Sequence, residues 1–157
     1  AEMQQAAVRP NAVSYTSMVG ACARAAHLGE ALEWLAAMPG ACAEPSAAAF
    51  NIVVSACAKA GRAREASSWL AEMRRQALEP SASAYGAAVR SHARAACLRE
   101  ATRLLRHAQD VILPPAACYS AVVRACARAG DVDEAVRWVA EMRTRGLEPD
   151  AASCGAV

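Results

Sequence analysis

Apolar residues recur at i, i+3, i+4 and i+7 in four stretches of this chain: Tyr15, Met18, Val19, Cys22; Phe50, Val53, Val54, Cys57; Tyr85, Ala88, Val89, His92; and Tyr119, Val122, Val123, Cys126. That spacing lines one face of a 3.6-residue helix, so each set predicts an amphipathic helix. A second stripe follows the first. It reads Leu28, Ala31, Leu32, Leu35 early in the chain and Val132, Ala135, Val136, Val139 late in it. Trp34, Trp69 and Trp138 add bulk beside these stripes, and Met38, Met73 and Met142 come one turn later. Between the stripes, Gly61 and Gly130 stand where a left-handed helix cap is wanted, while Ala26 and Ala96 fill the same place with a less suitable residue. Asp131 and Glu134 have capping-box spacing for a second helix. The pattern predicts helical hairpins.

The hairpins repeat. Tyr15, Phe50, Tyr85 and Tyr119 are 35, 35 and 34 positions apart, and Trp34, Trp69, Leu104 and Trp138 keep the same steps. So do Cys22, Cys57, His92 and Cys126, and the Glu-Ala pairs at 30, 65, 100 and 134. Pro10, Pro45, Pro80, Pro114 and Pro149 close the units. A fixed period in this range means stacked repeats, each burying its apolar face on its neighbours. Four full units fit, at 12–46, 47–81, 82–115 and 116–150. The third is one residue short, with the loss between Leu104 and Pro114. Residues 1–11 read as the tail of an earlier second helix and 151–157 as the start of another first helix. Neither end carries a polar cap, so the chain reads as cut from a longer array.

Composition narrows the chemistry. The 157 residues are 55% hydrophobic, but much of that is alanine and only 4% is aromatic, so the core is thin for its length. A net charge of +2 gives no polyelectrolyte signal, and basic residues matter only if they share a face. No secretory signal opens the chain, and no apolar run reaches the roughly 18 residues that span a bilayer. Seven cysteines cannot all pair within the chain. Three of them follow the repeat rather than a metal-site spacing, and they read as reduced, buried side chains. His92 reads as a core histidine, with His27 and His107 at helix ends on the surface. No H-x-E with P-C-x-x-C, H-E-x-x-H, P-loop or G-x-S-x-G occurs, and the acidic residues are scattered singly. The segment holds no catalytic constellation and no metal site.

The units resemble the pentatricopeptide repeat. The residues that carry the resemblance are Phe50-Asn51-Ile52-Val53-Val54-Ser55-Ala56-Cys57-Ala58-Lys59-Ala60-Gly61 and then Glu65-Ala66, Trp69-Leu70-Ala71-Glu72-Met73 and Leu78-Glu79-Pro80-Ser81. The fourth unit matches as closely, from Tyr119-Ser120-Ala121-Val122-Val123 to Gly146-Leu147-Glu148-Pro149-Asp150. The tetratricopeptide repeat is the nearest competitor, but its period is 34 and its first-helix Trp, Leu-Gly and Tyr positions do not occur here. The resemblance implies an all-α fold, a right-handed α-solenoid of stacked helix-turn-helix repeats.

It also implies single-stranded RNA as the partner, one base per unit. The base-reading pairs it assigns are Thr16 with Ser46, Asn51 with Ser81, and Ser120 with Asp150. Gly86 with Pro115 departs from any readable pair and makes unit three a spacer. By the family's code the units specify a purine, a pyrimidine (cytosine), no base and guanine, 5′ to 3′. The base-sandwiching place holds Val13, Ala48, Ser83 and Ala117, of which only Val13 has the expected branched side chain. The residues that would face the RNA backbone are Arg24, Lys59, Arg94 and Arg128, again 35, 35 and 34 apart. Each of these roles has a plainer counterpart. Asn11, Ser46, Ser81 and Asp150 are favoured N-cap types, and a cation near a helix C-terminus suits the macrodipole. The remaining arginines at 62, 64, 74, 75, 103 and 106 read as a solvated outer face. No cofactor is implied, the segment reads as a monomer, and the family places its members in the mitochondrion or chloroplast. The alternative reading is a helical scaffold for protein partners, distinguished by whether the basic column lines the groove.

Overall fold

The computed structural model describes residues 11–41 and 44–150. These form eight α-helices: α1 (Ala12–Arg24), α2 (Leu28–Ala37), α3 (Ala47–Lys59), α4 (Ala63–Arg75), α5 (Ala82–Arg94), α6 (Leu98–Val111), α7 (Ala116–Ala129) and α8 (Val132–Thr144). A 3-10 turn, Pro39–Ala41, follows α2. Among the described residues there is no strand, and no helix is long and apolar enough to cross a membrane. The terminal segments 1–10 and 151–157, read above as parts of neighbouring repeats, lie outside the described residues, as do Cys42 and Cys154.

The helices pair as α1–α2, α3–α4, α5–α6 and α7–α8, and the hairpins stack into an all-α solenoid. Successive first helices pack on one another, and each second helix from α2 to α6 also touches the first helix of the following hairpin. The first helices therefore form one continuous layer, with the second helices behind it.

Sequence chemistry sets the ends of each helix. The side chains of Asn11, Ser46 and Ser81 accept from the N–H of Ser14, Ala49 and Ala84, at 3.0, 3.3 and 3.2 Å, which satisfies a donor the helix leaves open. Asp131 caps α8 through the Glu134 N–H at 3.1 Å. Each first helix ends in the same way. The N–H groups of His27, Arg62, Cys97 and Asp131 reach back to the carbonyls of Cys22, Cys57, His92 and Cys126 at 2.9–3.0 Å, the longer of the two bonds of a Schellman turn. The turn needs one left-handed residue. Gly61 and Gly130 supply it, at φ 78° and 76°, but Ala26 and Ala96 are held there too, at φ 63° and 57°. The second helices α4 and α8 close likewise through Ala77 and Gly146. Unit three differs here: the Ile112 N–H bonds Ala108 at 2.8 Å and Ile112 is extended. The residue missing from this unit is the left-handed one.

Tyr15, Phe50, Tyr85 and Tyr119 are buried in the core with Leu35, Leu70, Leu105, Met38, Met73 and Met142. Within three hairpins the tryptophan meets the aromatic of the first helix edge-on or tilted: Tyr15–Trp34 at 5.8 Å, Phe50–Trp69 at 5.8 Å and Tyr119–Trp138 at 6.1 Å. Such pairs add about 0.5–1.5 kcal/mol beyond their burial. Leu104 replaces the tryptophan in unit three, and the buried Tyr85 hydroxyl is left without a partner.

Three positions of the expected stripes are corrected. Met18 is 42% exposed although Val53, Ala88 and Val122 in its column are fully buried. That column faces the preceding hairpin, and none precedes α1 among the described residues. Val132 and Val136 are 50% and 47% exposed, so the buried line on α8 is Ala135, Trp138, Met142. Val136 shares its column with Ser67, whose hydroxyl meets His92 of the following hairpin at 2.6 Å. No following hairpin is described after α8. The cysteines are structural, as expected: Cys22, Cys57, Cys118 and Cys126 are buried and free. Burial pushes the Cys57 and Cys126 thiols up to about 11, which keeps them protonated and unreactive.

Candidate nucleic-acid interface

The first helices expose a groove made of two adjoining hollows that share Ser55, Lys59 and Ser83. The first runs between α1 and α3 to the start of α5, with Gly20, Arg24, Asn51, Lys59 and Ser81 in its wall. The second, of about 350 Å³, is bounded by Lys59, Arg90, Arg94, Arg124 and Arg128. No carboxylate lines either hollow. A net charge of +2 for the chain thus conceals a groove with a cluster of cations in its walls and one carboxylate, Asp150, beside Arg124, a balance that favours an anionic strand.

Arg24, Lys59, Arg94 and Arg128 are all exposed and line the groove. Two of them also hold the array together. Arg94 donates through Nη2 to the Ala58 carbonyl at 2.8 Å, and Arg128 donates likewise to the Ala93 carbonyl at 2.8 Å. Each guanidinium therefore donates to a carbonyl near the end of the preceding first helix; in the case of Ala58 it shares that oxygen with the Gly61 N–H at 3.3 Å. For these two the macrodipole argument holds across hairpins as well as within their own helix, where each stands in the last turn. A guanidinium has five N–H donors, so donors remain for a phosphate.

The base-reading positions divide by unit. In unit two the structure brings Asn51 and Ser81 together: the Asn51 Oδ1 accepts the Ser81 N–H at 3.0 Å. This uses the amide's acceptor and leaves its two N–H donors, in a wall of the first hollow. In unit one, Thr16 donates its hydroxyl to the Ala12 carbonyl at 2.7 Å, so its lone pairs remain, while Ser46 serves its own cap. In unit four, Asp150 is exposed, with Oδ2 3.6 Å from Arg124 Nη1, but Ser120 is only 3% exposed. In unit three Gly86 is buried and Pro115 caps α7 without a side-chain bond. At the sandwiching positions, Val13 is 71% exposed, and Ala48, Ser83 and Ala117 are exposed as well.

Arg90 and Arg124 were not among the expected site residues. They are 34 apart, the step by which the aromatic, tryptophan, cysteine and basic columns pass from unit three to unit four, and that register is the signal that could have found them. Among the described residues no group of three or more His, Cys, Asp or Glu side chains could hold a metal.

Comparison with known proteins gives one consistent result. The PPR repeat model matches residues 48–77 and 117–147, and the pentatricopeptide repeat domain model matches residues 1–60. A search of the curated proteins finds no match. The chain is similar to the crystal structure of the pentatricopeptide repeat protein PPR10 from maize, with a TM-score of 0.87 and 22% identity over 99% of this chain and 22% of that one. It is similar to PPR10 in complex with an 18-nt psaJ RNA element, with a TM-score of 0.73 and 25% identity over 92% of this chain and 21% of that one. The PPR domain of Arabidopsis thaliana protein-only RNase P 1, solved with tRNA, gives a TM-score of 0.86 at 14% identity, over 98% of this chain and 82% of that one. The chain thus spans about a fifth of the length of PPR10. With its packing columns, its helical hairpins and both family models in agreement, the chain belongs to the pentatricopeptide repeat family.

Proposed function

We propose that this array binds single-stranded RNA along the groove of its first helices, one base per hairpin, within an organellar RNA-processing, editing, stability or translation factor. The observation that carries this reading is the groove itself. Its basic column runs through all four hairpins, and among the described residues the two hollows are lined by cations and no carboxylate, Asp150 standing beside Arg124. The same observation favours RNA over a protein scaffold, because cations on the outer face or in the core would have left the RNA reading without its electrostatic support. The RNA-bound structures of PPR10 and of the protein-only RNase P 1 domain support it by analogy. The segment binds and does not catalyse, and the mitochondrion or chloroplast is the location the family suggests.

The side chains supply a mechanism. Cations at the groove take successive phosphates, so affinity falls with salt, with a slope near −0.7 per phosphate for a single strand. Asn51, its oxygen engaged by Ser81, turns donors outward and suits the adjacent acceptors O2 and N3 of cytosine. Thr16, its proton engaged by Ala12, turns lone pairs outward and suits the amino group of a purine. Asp150 offers carboxylate oxygens to the two neighbouring N–H donors of guanine, and with Ser120 buried the reading in unit four falls to Asp150. Val13 gives an apolar face for a base to lie on, a contact type worth about 1–3 kcal/mol with aromatic platforms and less with an aliphatic one.

The test compares wild type with Asn51→Thr on short RNAs of the form 5′-purine-C-N-G, with cytosine or adenine opposite unit two. Wild type should prefer cytosine. The variant should place its hydroxyl as Thr16 does and shift toward adenine by about ten-fold, the scale of one good base contact. Equal loss on both RNAs would contradict the reading for this unit. A flat salt response, with no preference over a scrambled strand, would sink RNA binding altogether.

A further inference from the structure

Unit three carries no side chain at its base-reading place, yet that place is filled. A Cβ added to Gly86 would stand 3.0 Å from Arg90 Nη1 and 3.0 Å from Cys118 Sγ. The guanidinium of Arg90, one turn further along α5, therefore lies over Gly86. That is the level at which units one and two present Thr16 and Asn51. Arg90 is exposed and lines the second hollow. Its guanidinium meets the buried Cys118 thiol and, among the described residues, makes no ion pair with a carboxylate, whereas its column mate Arg124 faces Asp150 at 3.6 Å; with five N–H donors, the fork keeps some for a ligand. The absence of a side chain at Gly86 and the position of Arg90 go together, since a Cβ at 86 would press on both the guanidinium and the Cys118 sulfur and one of them would have to give by a few tenths of an ångström.

We propose that Arg90 is the base-reading residue of unit three, and that it selects a base with two adjacent acceptors, guanine or cytosine, over adenine and uracil. This rests on the RNA-binding reading above. The selectivity follows from the group. A guanidinium only donates, and it does so as a rigid planar fork. Guanine offers O6 beside N7, and cytosine offers O2 beside N3. Adenine sets an amino donor beside each of its edge acceptors N1 and N7, and uracil sets N3–H between O2 and O4, so each satisfies one arm of the fork at most. Bidentate contact of arginine with guanine is the commonest specific contact of this kind in nucleic-acid recognition. Arg94, one turn beyond Arg90, already occupies the column that meets the phosphates, so Arg90 is not needed there. The unit that reads as a spacer in the sequence becomes a reading unit, and the array specifies 5′-purine-C-(G or C)-G.

The experiment uses this chain and four RNAs that differ only in the base opposite unit three, with wild type, Arg90→Ala and Arg90→Lys. Wild type should bind the guanine and cytosine strands about ten-fold more tightly than the adenine and uracil strands, and the guanine and cytosine arms rank the two acceptor pairs. Arg90→Ala should remove that preference and keep the preference at unit two. Arg90→Lys keeps the charge and loses the fork, so it should retain most of the affinity and lose the discrimination. If Arg90→Ala weakens all four strands equally, Arg90 is a phosphate contact and the proposal fails. Discrimination at unit two with none at unit three in wild type also overturns it, leaving RNA binding intact. Loss of preference at every unit, with no dependence on salt, removes both this proposal and the reading on which it rests.

Discussion

The amide of Asn51 gives its oxygen to the Ser81 N–H and keeps its two N–H donors for the groove. The orientation of the amide is therefore fixed by the next hairpin, not by its own helix. His92 shows the same dependence in the core. It takes the place of a cysteine, is 1% exposed, and meets Ser67 of the preceding hairpin at 2.6 Å. Burial holds its pKa below the ordinary 6.5, Glu100 of α6 opposes that, and Arg103 and Arg64 reinforce it. The folded chain thus binds fewer protons at this site than the unfolded one. Its contribution is complete above pH 6.5 and is lost as the pH falls below that value. Wild type should accordingly lose thermal stability between pH 7 and 5, and His92→Cys, which restores the column, should flatten that interval. Parallel curves for the two proteins would remove His92 from the account.

At the scale of the element, the turn between the two helices is where the chain departs from its own consensus. Ala26 and Ala96 adopt the left-handed conformation that Gly61 and Gly130 adopt elsewhere. A left-handed residue with a Cβ costs about 1–2 kcal/mol, and glycine returns part of that through the entropy of its unfolded state, about 0.4–1 kcal/mol. Both alanines are exposed, so no packing is lost on truncation. Ala26→Gly and Ala96→Gly should each raise stability by about 0.5–1 kcal/mol, read from the urea midpoint at unchanged m-value. A lowered midpoint would show that the strain is relieved in some other way. These turns were legible in the sequence, because glycine in two units marked the place and alanine in the other two broke the pattern. The closure of α6 was less so: a one-residue deletion could be placed between Leu104 and Pro114, but the loss of the left-handed residue appears only in the bond from Ile112 to Ala108.

On the scale of the molecule, the basic column has two duties that can be separated. Lys59 makes no hydrogen bond or ion pair among the described residues, whereas Arg94 ties α5 to the end of α3 through the Ala58 carbonyl. Lys59→Ala should therefore weaken RNA binding, reduce the salt slope by about 0.7, and leave the unfolding midpoint where it is. Arg94→Ala should do the same to binding and also cost about 1 kcal/mol of stability, the usual net value of one such hydrogen bond. Equal stability of the two variants would mean that the inter-hairpin bond carries no weight.

The sequence by itself determined the fold. A 35-residue period, helical spacing within each unit and capping residues at the start of three of the four hairpins specify stacked hairpins, because a helix with one apolar stripe must bury it on a neighbour. It also determined that the cysteines pack rather than react, and where the basic column lies along the chain. Tertiary structure decided the rest. Burial of the first-helix stripe depends on a preceding hairpin, so Met18 is exposed where Val53 is not. The orientation of the Asn51 amide depends on the Ser81 backbone. The density of cations in the groove depends on Arg90 and Arg124 joining the column from one turn away. Periodicity records which residues share a face. Only the stacking of hairpins sets which atoms of those residues are already satisfied and which remain for a ligand.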